Sequence, residues 1–227
     1  MNSFIKQVTS PLSRMHQIPR YAGVHQEYDE NLAVHIADVQ MVGYSLILVL
    51  NNQYGEDIDK GEFLEKALLH DSEEALSGDF PRSIKYYNES TLDALRYLGG
   101  VAMQQLVDSH FEGNQDVYTM WDKCKEGKSG VILKVVDMIC VVKKTIIEIE
   151  MLNNNYFLKV AYEVREYLNE VKRYLEEKSP YNPAATQYLC ALITEAHDEI
   201  DRIWESRKDV AIRYGLLDNV FTPKSAE

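Results

Sequence analysis

The residues best placed to do chemistry lie between positions 65 and 81, in the segment EKALLHDSEEALSGDFP. An apolar run leads directly into His70 and Asp71, so an imidazole and a carboxylate are expected near the interior, where each needs a partner. Glu74 follows one turn later, and this spacing puts all three side chains on one surface of a helix. The segment therefore predicts three polar groups that converge on one spot.

A fourth polar group is expected just beyond the end of that helix. Gly78 is typical of a helix terminus, and Pro81 keeps the chain from continuing as helix. Asp79 lies between them, in a loop within reach of the same spot.

Two further polar residues interrupt strongly apolar segments elsewhere in the chain. His35 stands in LAVHIADV, and Asp137 lies in the most apolar part of residues 129–152. With His70 and Asp71 they make two imidazoles and two carboxylates, a suitable ligand set for one divalent transition metal with open positions for water and substrate.

Each of these signals also has a purely structural explanation. A single histidine in an apolar helix, such as His35, is more often a core residue with a hydrogen-bond partner than a metal ligand. Asp137 could instead form an ion pair with Lys134, three residues earlier on the same helix. The spacing alone leaves both alternatives open.

The dipeptide His-Asp is a weak signal by itself, because the chain contains it twice. The second copy, His197-Asp198, lies in EAHDEID, among acidic residues on an amphipathic helix. We expect this copy to face solvent, whereas the copy at 70–71 follows an apolar run.

The spacing of apolar residues predicts helices throughout the chain. The predicted helices are residues 31–53, the segment from the polar turn at 54–60 to Gly78, and residues 92–106, 129–152, 156–178 and 182–214, with a short amphipathic segment at 117–125. The first is apolar nearly all round, which predicts a buried central helix capped by Asn31. Its short connection to the next helix predicts antiparallel neighbours that bring His35 near His70. Gly99 and Gly100 could kink or divide the third.

Composition narrows the class of protein. The 227 residues suffice for one large domain, which we expect, and the net charge of −12 makes duplex nucleic acid an unsuitable partner. Three separated cysteines without CxxC spacing fit a reducing cytoplasm. Residues 42–50 are too short and interrupted for a membrane span, and no signal peptide pattern is present, so we predict a cytoplasmic protein without a membrane partner.

The order of these motifs resembles the HD-domain phosphohydrolases, and most closely the bacterial 5'-deoxynucleotidases. Arg20-Tyr21 matches an arginine followed by an aromatic residue, and Glu30-Asn31 with His35 is similar to the family's ENxxxH. The run HDSEEALSGDFPRSIKYYN from His70 is similar to its HDxxExLxGDxPxxxKY, and Asp137 follows in a later helix. The resemblance covers residues 20–144 and leaves the carboxy-terminal helices unmatched in detail.

The resemblance implies an all-α fold, an HD-domain helical bundle with a core at about residues 20–150 and additional carboxy-terminal helices at 155–215. It implies a single divalent transition metal held by His35, His70, Asp71 and Asp137. Cobalt, zinc, manganese and iron all suit such a site; Mg²⁺ bound with substrate phosphates is a second option.

The resemblance also implies roles for residues around the metal. Glu74 would act with a water molecule, and Asp79 would contact the sugar or the attacking water. Arg20 and Tyr21 would contact the substrate, and Lys85 could add a second cation. Tyr21 departs from the tryptophan that the family usually has, which bears on substrate choice.

The implied activity is hydrolysis of deoxynucleoside 5'-monophosphates to nucleoside and phosphate. A deoxynucleoside triphosphate triphosphohydrolase, for example one that acts on dATP and adjusts a nucleotide pool, needs the same metal and water and is the main alternative. A catalytically inactive nucleotide-binding helical module is a further alternative. The resemblance implies a homodimer or higher homo-oligomer.

Overall fold

The fold is a bundle of α-helices. The computed structural model describes residues 11–216. Within them the α-helices are α1 (Leu32–Tyr54), α2 (Lys60–Leu69), α3 (Glu74–Ser77), α4 (Arg82–Lys85), α5 (Glu89–His110), α6 (Gln115–Asp122), α7 (Gly127–Ile146), α8 (Leu158–Lys178) and α9 (Pro183–Arg213). This part of the chain also holds 3-10 helices at Pro11–Gln17 and Asn155–Phe157 and a π-helix at Ile147–Met151. It contains no strand, so the all-α prediction is confirmed.

Helix α1 begins as predicted but is buried on one face only. Asn31 caps it by accepting a hydrogen bond from the Val34 amide. Its buried residues recur every three or four positions, whereas Met41 on the other side is 70% exposed, so the prediction of a buried central helix holds for one face only. Gly43 lies under the ring of Phe63, and a Cβ at this position would come within 2.0 Å of that ring. The glycine therefore lets α2 pack closely against α1.

Helix α1 is also the one described helix that could cross a membrane by length and composition. It has 23 residues and a mean hydropathy of 1.7, whereas the sequence-based judgement considered only residues 42–50 as a possible span. The core helix of a soluble protein has the same character, and α1 packs here against α2 and α7. The absence of a membrane partner stays a prediction.

The segment with His70 is not one continuous helix. Helix α2 ends at Leu69, residues 70–73 form a turn, and α3 runs from Glu74 to Ser77 before Gly78. In the turn, the Ser72 amide donates to the Leu69 carbonyl, three residues back. This tighter hydrogen-bonding pattern ends the regular helix. His70, Asp71 and Glu74 therefore do not share one helix surface, contrary to the prediction.

Helix α5 is longer and more exposed than predicted. It continues through Gly99 and Gly100 without interruption. The apolar spacing of residues 92–106 would place Leu98 and Val101 in the core, but both are exposed, as is Tyr97 beside them. The apolar residues of α5 do recur at helical spacing, but some of them form an exposed stripe on the surface of the helix.

Two hydrophobic cores stabilise the bundle. The larger one is built by α1, α2, α7, α8 and α9, and the smaller one surrounds Met103 and Leu106 of α5. Helices α8 and α9 pack along each other and contribute residues such as Leu168 and Ile200 to the larger core. The carboxy-terminal helices that matched no motif therefore belong to the core that carries the site; the single-domain prediction itself is not tested.

Candidate metal and substrate site

Four predicted ligand residues meet where α1, the turn after α2 and α7 come together. His35 lies on the buried face of α1, and His70 caps the end of α2. Asp71 lies in the following turn, and Asp137 lies on α7. Both histidines are buried, while the two carboxylates remain partly accessible. The short connection between α1 and α2 brings the histidines together, as the sequence predicts.

The ligand atoms of this cluster lie close together. Asp137 Oδ1 lies 3.2 Å from His35 Nε2, and Asp71 Oδ2 lies 3.3 Å from His70 Nε2. Asp71 Oδ2 is also 3.9 Å from His35 Nε2. One ligand atom from each of His35, His70 and Asp71 fits within 4.8 Å of the others, and Asp137 adjoins this group through His35.

The hydrogen bonding of the two histidines fits a metal site. Neither Nε2 atom has a hydrogen-bond partner among the described residues, although carboxylate oxygens lie nearby. The opposite nitrogens face protein groups: His70 Nδ1 lies 2.8 Å from the Ala67 carbonyl, and His35 Nδ1 lies 3.5 Å from Glu30. Such outer contacts orient a metal-binding imidazole. His35 is therefore not a satisfied core histidine.

Asp137 does not form the ion pair with Lys134 that was its alternative explanation. Asp137 lies beside His35, while the ammonium of Lys134 lies 4.4 Å from the ring centre of Tyr174. The predicted alternative of an Asp137–Lys134 ion pair is therefore wrong.

Charges in the cluster shift one another's pKa values. Burial alone would lower the pKa of His70, but the Asp71 carboxylate raises it to about 9. Burial opposes ionisation of Asp71 as well, yet His70 and Arg20 hold the pKa of that carboxyl well below its usual range. Burial and the Asp71 charge raise the pKa of Glu74 to about 8. The cluster thus favours positive charge at its centre.

A second ring of charged residues surrounds the cluster. Arg20 Nη1 donates to Asp71 Oδ2 at 3.1 Å and lies 3.8 Å from Glu74 Oε2. Lys85 Nζ lies 2.8 Å from Glu74 Oε1 and 3.7 Å from Asp79 Oδ1. A network of two cations and two carboxylates thus lies next to the predicted metal ligands.

Tyr21 is held in an unusual backbone conformation beside this ring. Its φ angle is +59°, in the left-handed region, which costs a non-glycine residue about 1–3 kcal/mol. Its amide donates to Asp79 Oδ2 at 3.3 Å, and its ring packs 5.1 Å from that of Phe157. Strain compensated by specific contacts is a common feature of binding sites.

A pocket opens onto the cluster. The predicted residues that line it are Arg20, Tyr21, Asp71, Asp79, Lys85 and Asp137. His35, His70 and Glu74 lie behind this wall and are buried. The pocket therefore presents the carboxylates and the cations, while the histidines lie deeper.

Sequence reasoning missed several pocket residues. Arg82 and Lys125 line the pocket, and α8 adds Glu163 and Tyr167. Arg82 lies inside the run HDSEEALSGDFPRSIKYYN, directly after Pro81, which was a usable signal. The α8 residues lie at amphipathic spacing, which from sequence resembles any helix that packs on a core.

Glu30 was also missed as a contributor to the site. It is buried, and its carboxylate lies 3.5 Å from His35 and 3.9 Å from Arg20. Its place in the motif that contains His35 was noted without a role. By contrast, Asp198 of the second His-Asp dipeptide is exposed, as expected, and His197 pairs with Asp201 at 3.3 Å.

Comparison with known proteins identifies relatives of similar length. The chain is 28% identical over 149 residues to the 5'-deoxynucleotidase YfbR of Escherichia coli O1:K1, which covers 65% of this chain and 75% of the relative. It is 27% identical over 150 residues to a 5'-deoxynucleotidase of Enterobacter sp. strain 638, with the same coverage.

Solved structures share the fold. An HD-domain phosphohydrolase from Listeria innocua superposes with a TM-score of 0.59 at 21% identity, covering 87% of this chain and 98% of that one. A protein from Pyrococcus horikoshii superposes with a TM-score of 0.63 at 18% identity, covering 86% and 98%.

A sequence model of one family, described as 5'-deoxynucleotidase YfbR-like, matches residues 7–179. This match includes α8 and its pocket residues, beyond the segment that carried the motif resemblance. The chain belongs to the YfbR-like family of HD-domain phosphohydrolases.

Proposed function

We propose that the protein is a metal-dependent phosphohydrolase that converts deoxynucleoside 5'-monophosphates to nucleoside and phosphate. The observation that carries this proposal is the pair of buried Nε2 atoms that have no hydrogen-bond partner within residues 11–216 and lie beside two carboxylates behind a pocket lined with cations. The names of the relatives, which are 5'-deoxynucleotidases, support the same reaction and substrate class.

His35, His70, Asp71 and Asp137 would hold the metal. A divalent ion at this position would draw charge off the phosphoryl oxygens and lower the pKa of the attacking water. Imidazole and carboxylate ligands suit cobalt, zinc, manganese or iron. A role for Mg²⁺ with the substrate phosphates belongs to the same proposal.

The remaining residues of the site have separate roles in this reaction. Glu74, a buried carboxylate with Lys85 Nζ 2.8 Å from its Oε1, is suited to orient or deprotonate the attacking water. Arg20 offers a planar fork to phosphate oxygens, and Lys85 offers a point charge. Asp79, held next to the Tyr21 backbone, is placed to accept a hydrogen bond from the sugar or the water.

A triphosphohydrolase is the second candidate, favoured by one observation. Lys125 has no ion-pair partner among the described residues, and with Lys134 it lines a cavity that adjoins the pocket at Tyr86 and Tyr167. Burial and then the nearby Lys125 charge lower the pKa of Lys134. Two cations that repel each other would be stabilised by additional phosphate groups.

Assembly and location remain proposals as well. The exposed apolar residues Tyr97, Leu98 and Val101 of α5 offer a surface that a homodimer or higher homo-oligomer could bury. We retain the predictions of a cytoplasmic location and of no duplex nucleic acid or membrane partner.

The test is a hydrolysis screen of the metal-loaded protein against deoxynucleoside mono- and triphosphates, with inorganic phosphate separated from tripolyphosphate. We expect phosphate from monophosphates, and a loss of roughly 10²–10⁴-fold in rate for Glu74→Gln. Tripolyphosphate as the main product would favour the second candidate. Tight nucleotide binding without any product would contradict both and indicate an inactive binding module.

A further inference from the structure

One cation that lines the pocket has no partner in the described part of the chain. Lys125 follows α6 and lines the pocket together with Asp71 and Asp137. The residue as a whole is exposed, and its side chain forms no ion pair and no hydrogen bond within residues 11–216. Desolvation by the surrounding protein would lower the pKa of its ammonium, but the charges of Asp137 and then Asp71 raise it. A charged group that is open to a ligand therefore lies near two proposed metal ligands.

The other three cations that line the pocket within the described residues each lie close to a carboxylate. These pairs are Arg20 with Asp71 at 3.1 Å, Lys85 with Glu74 at 2.8 Å, and Arg82 with Glu170 at 3.0 Å. An anion that bound to one of these cations would compete with a carboxylate of the protein for the same charge. Lys125 can bind an anion without that competition.

The balance of charge around the proposed metal also favours Lys125 as a phosphate ligand. Asp71 and Asp137 would balance the two charges of a divalent ion, and the neighbouring network of two cations and two carboxylates is balanced within itself. A phosphate monoester brings about 1.5 to 2 negative charges at pH 7. Lys125 is a cation of the pocket that is left to compensate for them.

The backbone of Lys125 is held in place although its side chain has no partner. The preceding Cys124 is buried, and the carbonyl of the following Glu126 accepts a hydrogen bond from Lys66 Nζ at 2.7 Å. On α7, Gly130 lies so close that a Cβ at this position would come within 2.4 Å of the Lys125 carbonyl carbon. These contacts fix the point from which the side chain extends, so less freedom is lost when it binds a ligand.

We propose that Lys125 is a substrate-binding residue whose ammonium contacts the phosphate oxygens of the deoxynucleoside 5'-monophosphate. The inference rests on the proposed function and adds to it a residue that lies outside the motifs. Lysine suits this role because it is a compact charge on a flexible stem, which can follow the oxygens as the phosphoryl group is transferred. Hydrogen bonds to charged groups account for roughly 10- to 100-fold in affinity.

The test measures the dissociation constant of inorganic phosphate for the Mn²⁺-loaded protein by titration calorimetry, and kcat/KM for dAMP and dATP. We expect Lys125→Gln to raise that dissociation constant and to lower kcat/KM for dAMP, each roughly 10- to 100-fold. Lys125→Arg keeps the charge and should recover most of the loss. Lys123→Gln is the matched control, because Lys123 is exposed two positions earlier and does not line the pocket. Thermal unfolding should be alike in all four proteins, since the Lys125 side chain has no partner to lose.

Several outcomes would overturn the inference. One is that phosphate affinity and kcat/KM for dAMP are the same in the two glutamine variants. Another is a loss on dATP alone, because Lys125 would then contact only the additional phosphates of the second candidate substrate. If the wild type hydrolyses neither nucleotide, the proposed function fails separately, and the dissociation constants of phosphate and dAMP decide the inference. A wild type that binds neither of these two ligands would refute it.

Discussion

Among the clusters of buried charged side chains in residues 11–216, two differ in how their polar atoms are satisfied. At the junction of α7 with the π-helix, Lys144 Nζ lies 2.7 Å from Glu148 Oε1, and both residues are fully buried. Glu148 also accepts the amides of Glu27 and Tyr28 at 3.0 Å and the side-chain amide of Asn154 at 2.8 Å. In the other cluster, the Nε2 atoms of two buried histidines have no hydrogen-bond partner among the described residues.

This difference separates a structural network from a binding site. Burying charges is costly in both places, and protein groups offset that cost around Glu148. At His35 and His70 they do not, although carboxylates lie close by. A cation would satisfy the second cluster, whereas the first has no use for one. The two clusters should therefore respond in opposite ways to mutation, metal and pH.

The largest effect is expected on activity when a proposed ligand is removed. Asp71→Asn should lower kcat/KM roughly a thousandfold or more, since a metal ion supplies several kcal/mol of transition-state stabilisation. Asp198→Asn is the matched control, an aspartate that also follows histidine but is exposed. Steady-state kinetics with circular dichroism to confirm folding would test this, and comparable activity of both variants would remove Asp71 from the site.

The cluster of Lys144 and Glu148 should instead contribute to the free energy of unfolding. Glu148→Ala leaves Lys144 buried without its partner, and we expect it to lower the free energy of unfolding by about 3 kcal/mol. Glu150→Ala, at an exposed position of the same π-helix, should cost less than about 1 kcal/mol. Urea unfolding measures both. Equal losses in the two variants would mean that the network adds no particular stability.

Metal binding at the cluster of His35 and His70 should stabilise the folded protein by a somewhat smaller amount. A ligand that binds the folded protein at a hundred times its dissociation constant adds about 2.7 kcal/mol. For a chain of this size that corresponds to a rise of roughly 5–11 °C in Tm. Scanning calorimetry of chelator-treated protein with and without Mn²⁺, Co²⁺ or Zn²⁺ would show it. The rise should persist in Glu148→Gln and vanish in Asp71→Asn; a rise in both would place the metal elsewhere.

The last expected effect is the pH dependence of the Lys144–Glu148 cluster. Burial opposes ionisation of Glu148, but its bonds to Lys144 and Asn154 lower its pKa to about 2 from an ordinary 4.5. The unfolded chain therefore takes up a proton at higher pH than the folded protein, so this stabilisation is present above about 4.5 and is lost as pH falls toward 2. Thermal unfolding between pH 2 and 6 should show a shallower loss in Glu148→Gln than in the wild type. Parallel curves would contradict the assignment.

The sequence predicted the cluster of His35 and His70 better than the cluster of Lys144 and Glu148, for a physical reason. Polar residues such as His35 and Asp137 stand out in apolar helices, and their joint order with His70 indicates one site. The breaks in regular structure were not visible: the turn at 70–73 depends on local hydrogen bonds that a 3.6-residue period does not encode. Nothing in the run IIEIEM marks Glu148 as the centre of a buried network, because the backbone amides that it binds, those of Glu27 and Tyr28, lie 121 and 120 positions earlier in the chain.

Glu163 is likewise remote in sequence from His35 and His70. No local pattern distinguishes it from the solvent-facing glutamates of α8, and only the packing of α8 against the pocket shows where its carboxylate lies.

The segment that carries Arg20 and Tyr21 is held in place by backbone contacts on both sides. Pro19 and Asn31 form an antiparallel bridge, and Glu148 holds the amides of Glu27 and Tyr28. The stretch between these anchors includes exposed Gly23, whose surroundings are open. Doubling the length of a flexible loop costs only about 0.6 kcal/mol. Residues inserted at Gly23 would enter the chain between Tyr21 and Val24, which both line the pocket, so this loop is a natural place to engineer substrate range.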